Sequence, residues 1–188
     1  AAAGGSLTVT ANAICIGACA APVAGRLELD AAFFAGGGFT RYDLRANAGN
    51  LEVIAGTQLV LDAEALRFDT SALSTPSGTP VASITQRWRL PQQDQRPVDL
   101  HLRALTAAKS GGGYTQADFD RSALLAIGTD AVIDAPARST ITLAADARLL
   151  MDGRLRAPAG TVTLTLLDDV DGDIVFDEFV PAQALWLG

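Results

Sequence analysis

The sequence predicts an all-β fold, a solenoid of the parallel β-helix kind with about 20–25 residues per coil. Three observations lead there. Runs that alternate apolar with polar or small residues recur along the chain, these runs resemble one another, and no window of a dozen residues shows helical apolar spacing free of Gly or Pro.

The alternating runs are SLTVT (6–10), RLELD (26–30), NLEVIAG (50–56), VDLHLRAL (98–105), STITLAA (139–145) and GTVTLTL (160–166). In a strand, alternate side chains go to opposite faces. Leu7/Val9, Leu51/Val53, Leu100/Leu102, Ile141/Leu143 and Val162/Leu164 are therefore expected to face one core. A second motif follows the first as GTQLVLDA (56–63), GTDAVIDA (128–135) and DARLLMDG (146–153), each ending an apolar triplet with Asp and a small residue. The segments RLLMDGRLRAPAGTVTL (148–164) and AVIDAPARSTITL (131–143) echo each other through both motifs.

From Leu7 the first motif recurs at Leu51, Leu100, Ile141 and Val162, at intervals of 44, 49, 41 and 21 residues. These lie near multiples of one spacing, in the range where repeats indicate a solenoid. A leucine-rich repeat would show L-x-x-L-x-L and an Asn ladder, and a propeller blade would need four longer strands, so a parallel β-helix fits best. Asp-Gly, Asp-Ala and Ala-Pro-Ala then mark corners. At about 4.8 Å per coil, roughly seven or eight coils would extend about 35–40 Å. Residues 1–188 are expected to form one segment of this kind, with loop insertions near 71–96 and 109–120, where Pro, Gly and polar residues interrupt the rhythm.

Charge narrows the partners. The net charge is −7, with a single lysine, Lys109, against thirteen arginines. Nucleic acid and anionic membranes are disfavoured, because both require a basic patch. No apolar stretch approaches the ~18 residues of a membrane-spanning helix, so a soluble protein is expected. The chain starts at Ala1 without Met or a signal-like segment and stops after the apolar LWLG, which suggests a piece of a longer polypeptide. Cys15 and Cys19 in CIGAC leave two readings, a local disulfide around a turn at Gly17 in an exported protein or two small buried residues. With one histidine in the chain they make no closed zinc site unless acidic residues complete it.

Few residues carry a chemical signal. LDDVDGDIVFDE (167–178) matches an EF-hand loop at Asp169, Asp171, Gly172, Ile174 and Glu178 but has Leu167 where the first carboxylate belongs. Its flanks are a strand and Pro181, so no EF-hand is expected. Asp168, Asp169, Asp171 and Asp173 remain candidate calcium ligands, against the simpler reading of a solvated acidic corner. No other cofactor is implied. His101 alternates outward between Leu100 and Leu102 and reads as a surface histidine. AGGGF (35–39) and SGGGY (110–114) lack the Lys-Ser/Thr of a phosphate loop and read as turns. Trp88, flanked by Arg87 and Arg89, is either an exposed aromatic for sugar or partner contact or a lid on the solenoid, and Trp186 is expected in the core. No catalytic residues are identified, so no enzyme activity is expected.

These markers together resemble the distal repeat region of the filamentous haemagglutinin family of large exoproteins. The resemblance rests on Phe33-Phe34, then Gly37-Gly38-Phe39, Tyr42 and Leu44, the strand GNLEV, then RPVDLHLRAL (96–105), and finally Leu185-Trp186-Leu187-Gly188. It covers residues 25–188, most of the chain. The NPNL-type motif of the family's export domain is absent. The resemblance implies a right-handed β-helix, secreted or held at the bacterial cell surface, exported by an outer-membrane transporter in a two-partner system. It also implies a shaft or adhesive segment acting in adhesion, aggregation or biofilm. Its partners would be a host or neighbouring-cell surface, glycan or matrix, and neighbouring coils of the same longer chain. Two alternatives stay open: a β-helical polysaccharide-degrading enzyme and the stalk of a contact-dependent toxin exoprotein.

Overall fold

The structure, a computed structural model, describes residues 4–20, 22–36, 38–62, 65–88, 90–91, 94–105, 123–166 and 184–188. Strands dominate, and they form three parallel sheets and one antiparallel pair. The first sheet orders β1 (Gly5–Ala11), β4 (Phe39–Ala46), β9 (Asp99–Ala104), β12 (Thr140–Ala145) and β15 (Thr161–Leu166). The second orders β3 (Arg26–Leu29), β2 (Ala13–Ile16), β5 (Leu51–Val53), β10 (Leu124–Ile127), β13 (Arg148–Met151) and β16 (Ala184–Leu187). The third holds β6 (Gln58–Val60), β11 (Val132–Asp134) and β14 (Arg154–Arg156).

The chain visits the three sheets in turn, as β4–β5–β6, β9–β10–β11 and β12–β13–β14. Parallel neighbours need a crossover of a dozen or more residues. Here the strands of the other two sheets supply most of that crossover, so most of the connections between successive strands only turn a corner. The corners also stack. Asp152 N–H donates to Ile127 O (2.9 Å), Arg154 N–H to Ala131 O (2.8 Å) and Thr161 N–H to Ser139 O (3.0 Å), which continues the backbone ladder around the bends. Gly153 is required by this closeness, since a Cβ there would lie 2.5 Å from Ala131 O and 2.7 Å from Ile127 Cγ2.

Alternation sends one side-chain set of each sheet inward. In the first sheet the inward rows are Leu7–Tyr42–Leu100–Ile141–Val162, Val9–Leu44–Leu102–Leu143–Leu164 and Ala11–Ala46–Ala104–Ala145–Leu166. The second contributes Ile14–Leu51–Leu125–Leu149 and Ile16–Val53–Ile127–Met151, and the third Leu59–Ile133–Leu155. Most of these side chains join one buried cluster. Each large aliphatic removed from water this way contributes about 1.5–3 kcal/mol. At the β1 side of the stack, α1 (Ala32–Gly36) lies against β6 and buries Phe34 completely. The Tyr42 hydroxyl donates to Phe34 O (3.2 Å), and the two rings sit 5.1 Å apart.

Several expectations change. Leu51/Val53 face the common core but from the second sheet, while the first-sheet strand at that level is β4, with Tyr42 and Leu44 inward. GTQLVLDA and GTDAVIDA do pair, through Leu59 beside Ile133 rather than Leu61, a two-residue slip that keeps the same face inward. DARLLMDG belongs to the second sheet, and the true partner of Ile133 in the next strand is Leu155. Val162 occupies an inward row yet is 44% exposed, because β15 is the last strand of its sheet among the described residues. Among the described residues the first sheet has five strands and the second six, against the seven or eight levels expected. The difference arises because β3 stays in the second sheet beside β2, and because a long excursion separates β6 from β9.

That excursion covers most of the stretch expected as a loop at 71–96 and begins earlier. It contains an antiparallel hairpin of β7 (Ala65–Phe68) and β8 (Thr85–Trp88), joined through 3-10 turns at Thr70–Ser74 and Val81–Ser83. The insertion at 109–120 lies outside the described residues. Among the described residues, no helix is long and apolar enough to cross a membrane.

Candidate functional site

Two features stand out from the framework: the outward face of β4 and β9, and the β7–β8 hairpin. On β4 the residues that alternate with the buried Tyr42 and Leu44 are Arg41, Asp43 and Arg45; on β9 Asp99, His101 and Arg103 alternate with the buried Leu100 and Leu102. Register sets Arg41 beside Asp99, Asp43 beside His101 and Arg45 beside Arg103. Arg45 forks onto Asp43, with Nε 3.1 Å from Oδ1 and Nη2 2.9 Å from Oδ2. That hydrogen bonding holds the Asp43 carboxyl below the usual carboxylate range, against the opposing effect of its partial burial. Asp99 Oδ1 accepts the Thr140 N–H (2.8 Å), and Ser139 Oγ accepts the Val98 N–H (2.9 Å), so both side chains anchor the entry of β9.

His101 lies between Asp43 on one side and Thr142 on the other. Burial pushes its imidazole below the ordinary histidine value; Arg41 and Arg103 add to this, while Asp43 and Asp99 oppose it. The row Asp43–His101–Thr142 thus brings together the residue types of a proton relay. No hydrogen bond among the described residues links His101 to either neighbour, and both Asp43 oxygens are engaged by Arg45. As arranged, the row is a polar ladder holding a neutral imidazole at neutral pH.

The excursion presents a different chemistry. Trp88 is 45% exposed, and the Arg67 guanidinium carbon lies 5.2 Å from its ring centroid. Such a cation–π contact holds the ring in place without covering it. Phe68, Leu73 and Val81 are also exposed in this excursion, so it has little core of its own. Trp88 is therefore stacked on by an arginine and open to solvent; it is not a lid buried on the parallel sheets.

The remaining predicted positions lie apart. Cys15 and Cys19 form a disulfide (S–S 2.02 Å, Cα–Cα 6.1 Å) on the outward side of β2, where Cys15 neighbours Glu52 and Glu28. The turn between them uses Gly17 at φ +106°, a conformation that suits glycine. Asp168, Asp169, Asp171 and Asp173 lie outside the described residues. Among the described residues, no group of three or more His, Cys, Asp or Glu is placed to hold a metal ion. Trp186 corrects its expectation: it sits beside Leu150, whose side chain faces away from the core of its sheet, and is 63% exposed.

Sequence reasoning overlooked the Arg41/Asp43/Arg45 set, although the alternation Arg-Tyr-Asp-Leu-Arg carries the signal. It could not find the Arg67–Trp88 contact, which depends on antiparallel pairing across a long connection. No protein-family model, curated protein or solved structure matches this chain.

Proposed function

We propose that this chain is a segment of a right-handed parallel β-helix, working as a non-catalytic shaft with adhesive surfaces in a secreted or cell-surface filamentous protein of the haemagglutinin type. The observation that carries the reading is the first sheet: five parallel strands in register, with inward rows running from Leu7 to Val162 and from Val9 to Leu164. Stacking of this kind makes a stiff body from contacts between neighbouring levels, suited to projecting a surface away from a cell. Right-handed winding is the strong preference of parallel crossovers. The Cys15–Cys19 bridge agrees with an oxidising compartment outside the cytosol. Surface glycan or matrix would be the partner, and an outer-membrane transporter the route of export.

Two measurements on the purified chain test this. A crystal structure should show the three sheets wound right-handed about one axis with neighbouring coils about 4.8 Å apart; left-handed winding, or sheets that enclose no common core, would overturn the solenoid. Incubation with polyuronates should release no reducing or unsaturated ends, and sustained turnover would replace the shaft by the polysaccharide-degrading alternative.

A further inference from the structure

We propose that the outward face of the first sheet carries a binding site for a phosphate monoester dianion, seated between Arg45 and Arg103. The site goes beyond the adhesive reading and does not depend on it. Register places the two arginines directly beside each other in β4 and β9, and neighbouring strands run about 4.8 Å apart. Their row continues as Thr10 on the Arg45 side and as Ala144 and Thr165 on the other, so it contains two cations and no carboxylate. Like charges set directly opposite in a sheet repel. The adjoining row supplies one carboxylate, Asp43, and both of its oxygens are held by Arg45. Arg103 makes no hydrogen bond or ion pair among the described residues.

Exposure fixes the sign of the site. The Asp43 side chain is 9% exposed and that of Arg45 39%, so this ion pair shows solvent its guanidinium rather than its carboxylate. The third outward row sets Arg41 beside Asp99, whose Oδ1 is engaged by the Thr140 N–H. The outward residues of β1, β12 and β15 are Ser, Thr and Ala, without charge. A carboxylate ligand offers one charge and two oxygens, which a single guanidinium fork satisfies. A phosphate monoester brings nearly two charges and three acceptor oxygens, which suits two guanidiniums side by side.

His101 couples the site to pH. Facing its imidazole are Arg41, Asp43 and Arg45 of β4, Asp99 and Arg103 of its own strand, and the uncharged Thr140, Thr142 and Ala144 of β12. Arg41 and Arg103 help burial to hold the ring below the ordinary histidine value. A dianion beside Arg103 offsets that push, so His101 should titrate higher when the site is filled. By linkage, the site should bind a dianion more tightly as His101 gains its proton.

His101 is the only histidine in the chain, so its ring-proton resonance is a built-in probe. At constant ionic strength and pH 8, inorganic phosphate, glucose 6-phosphate and O-phosphoserine should each move that resonance saturably. Sulfate, a dianion that keeps its charge across the histidine range, should raise the pH at which His101 titrates. Arg103→Gln should weaken phosphate binding by about tenfold, the loss of one charge-assisted contact. Arg103→Glu should abolish it, and Arg154→Gln, on the third sheet, should leave it unchanged. Phosphate should also raise the urea midpoint of the parent chain and not that of Arg103→Glu. Tighter binding of glucose 6-phosphate or of phosphoserine than of inorganic phosphate would support the site and identify what carries the group. An equal shift with acetate, full affinity in Arg103→Gln, or no saturable response to any of the phosphates would overturn it.

Discussion

Ile141 and Val162 sit side by side in adjacent strands of the first sheet, yet Ile141 is completely buried and Val162 is 44% exposed. Both point inward, so the difference is position in the sheet: Ile141 has strands on both sides, and Val162 lies on the last strand among the described residues. Truncation should report this directly. Ile141→Ala is expected to cost about 2–5 kcal/mol, as for a fully packed aliphatic, and Val162→Ala less than about 1 kcal/mol. Urea unfolding of the two variants checks the order, and equal losses would mean that β15 is covered in solution.

The same pair shows what could be read in advance. Alternation alone identifies the inward residues, because period two is a local property, and Leu100, Leu102, Ile141 and Leu143 are buried as expected. Which sheet a strand joins is not local. Leu51/Val53 share the pattern of Leu100/Leu102 but follow a corner at residues 47–50 that turns the chain into the second sheet. Trp186 looked like core because it is large and flanked by leucines, but its register beside Leu150 puts it outside. The polar face was half legible: His101 was placed outward, whereas the fork of Arg45 on Asp43 depends on the β4 strand, which was not recognised as one.

Corner geometry predicts two changes of opposite sign. Gly153→Ala should destabilise by about 1–3 kcal/mol, because the new methyl meets the Ala131 carbonyl and Ile127 in the level below. Ala159, at φ +52°, holds a left-handed conformation that an L side chain resists, so Ala159→Gly should stabilise by up to about 1 kcal/mol. Thermal melts of both variants would show a Tm lowered for the first and raised for the second.

Reduction of the Cys15–Cys19 bridge should have a small, bounded effect. It closes a very short loop, with a sequence separation of 4, and chain-entropy reasoning gives about 2 kcal/mol for a loop of that size. Cys15→Ala/Cys19→Ala should therefore lower stability by about this amount while leaving far-UV circular dichroism unchanged. Loss of the folded spectrum would show that the bridge holds the β2–β3 edge of the second sheet in place.

Acid should weaken the fold in two separate windows. The His101 folded-state value lies below its ordinary one, so the unfolded chain binds the proton more readily. That contribution is complete above about pH 6.5, the unperturbed histidine value, and is lost as pH falls from there toward the folded value. Asp43 is also depressed, chiefly by Arg45, so its contribution is complete above about pH 4 and disappears at lower pH, toward its folded value. His101→Gln should flatten the first decline and leave the second. Asp43→Asn should cost on the order of 1 kcal/mol at neutral pH, since Arg45 is partly exposed, and should flatten the second. Urea midpoints measured from pH 8 to pH 3 on the three proteins distinguish the windows; an unchanged upper decline in His101→Gln would assign it to another group.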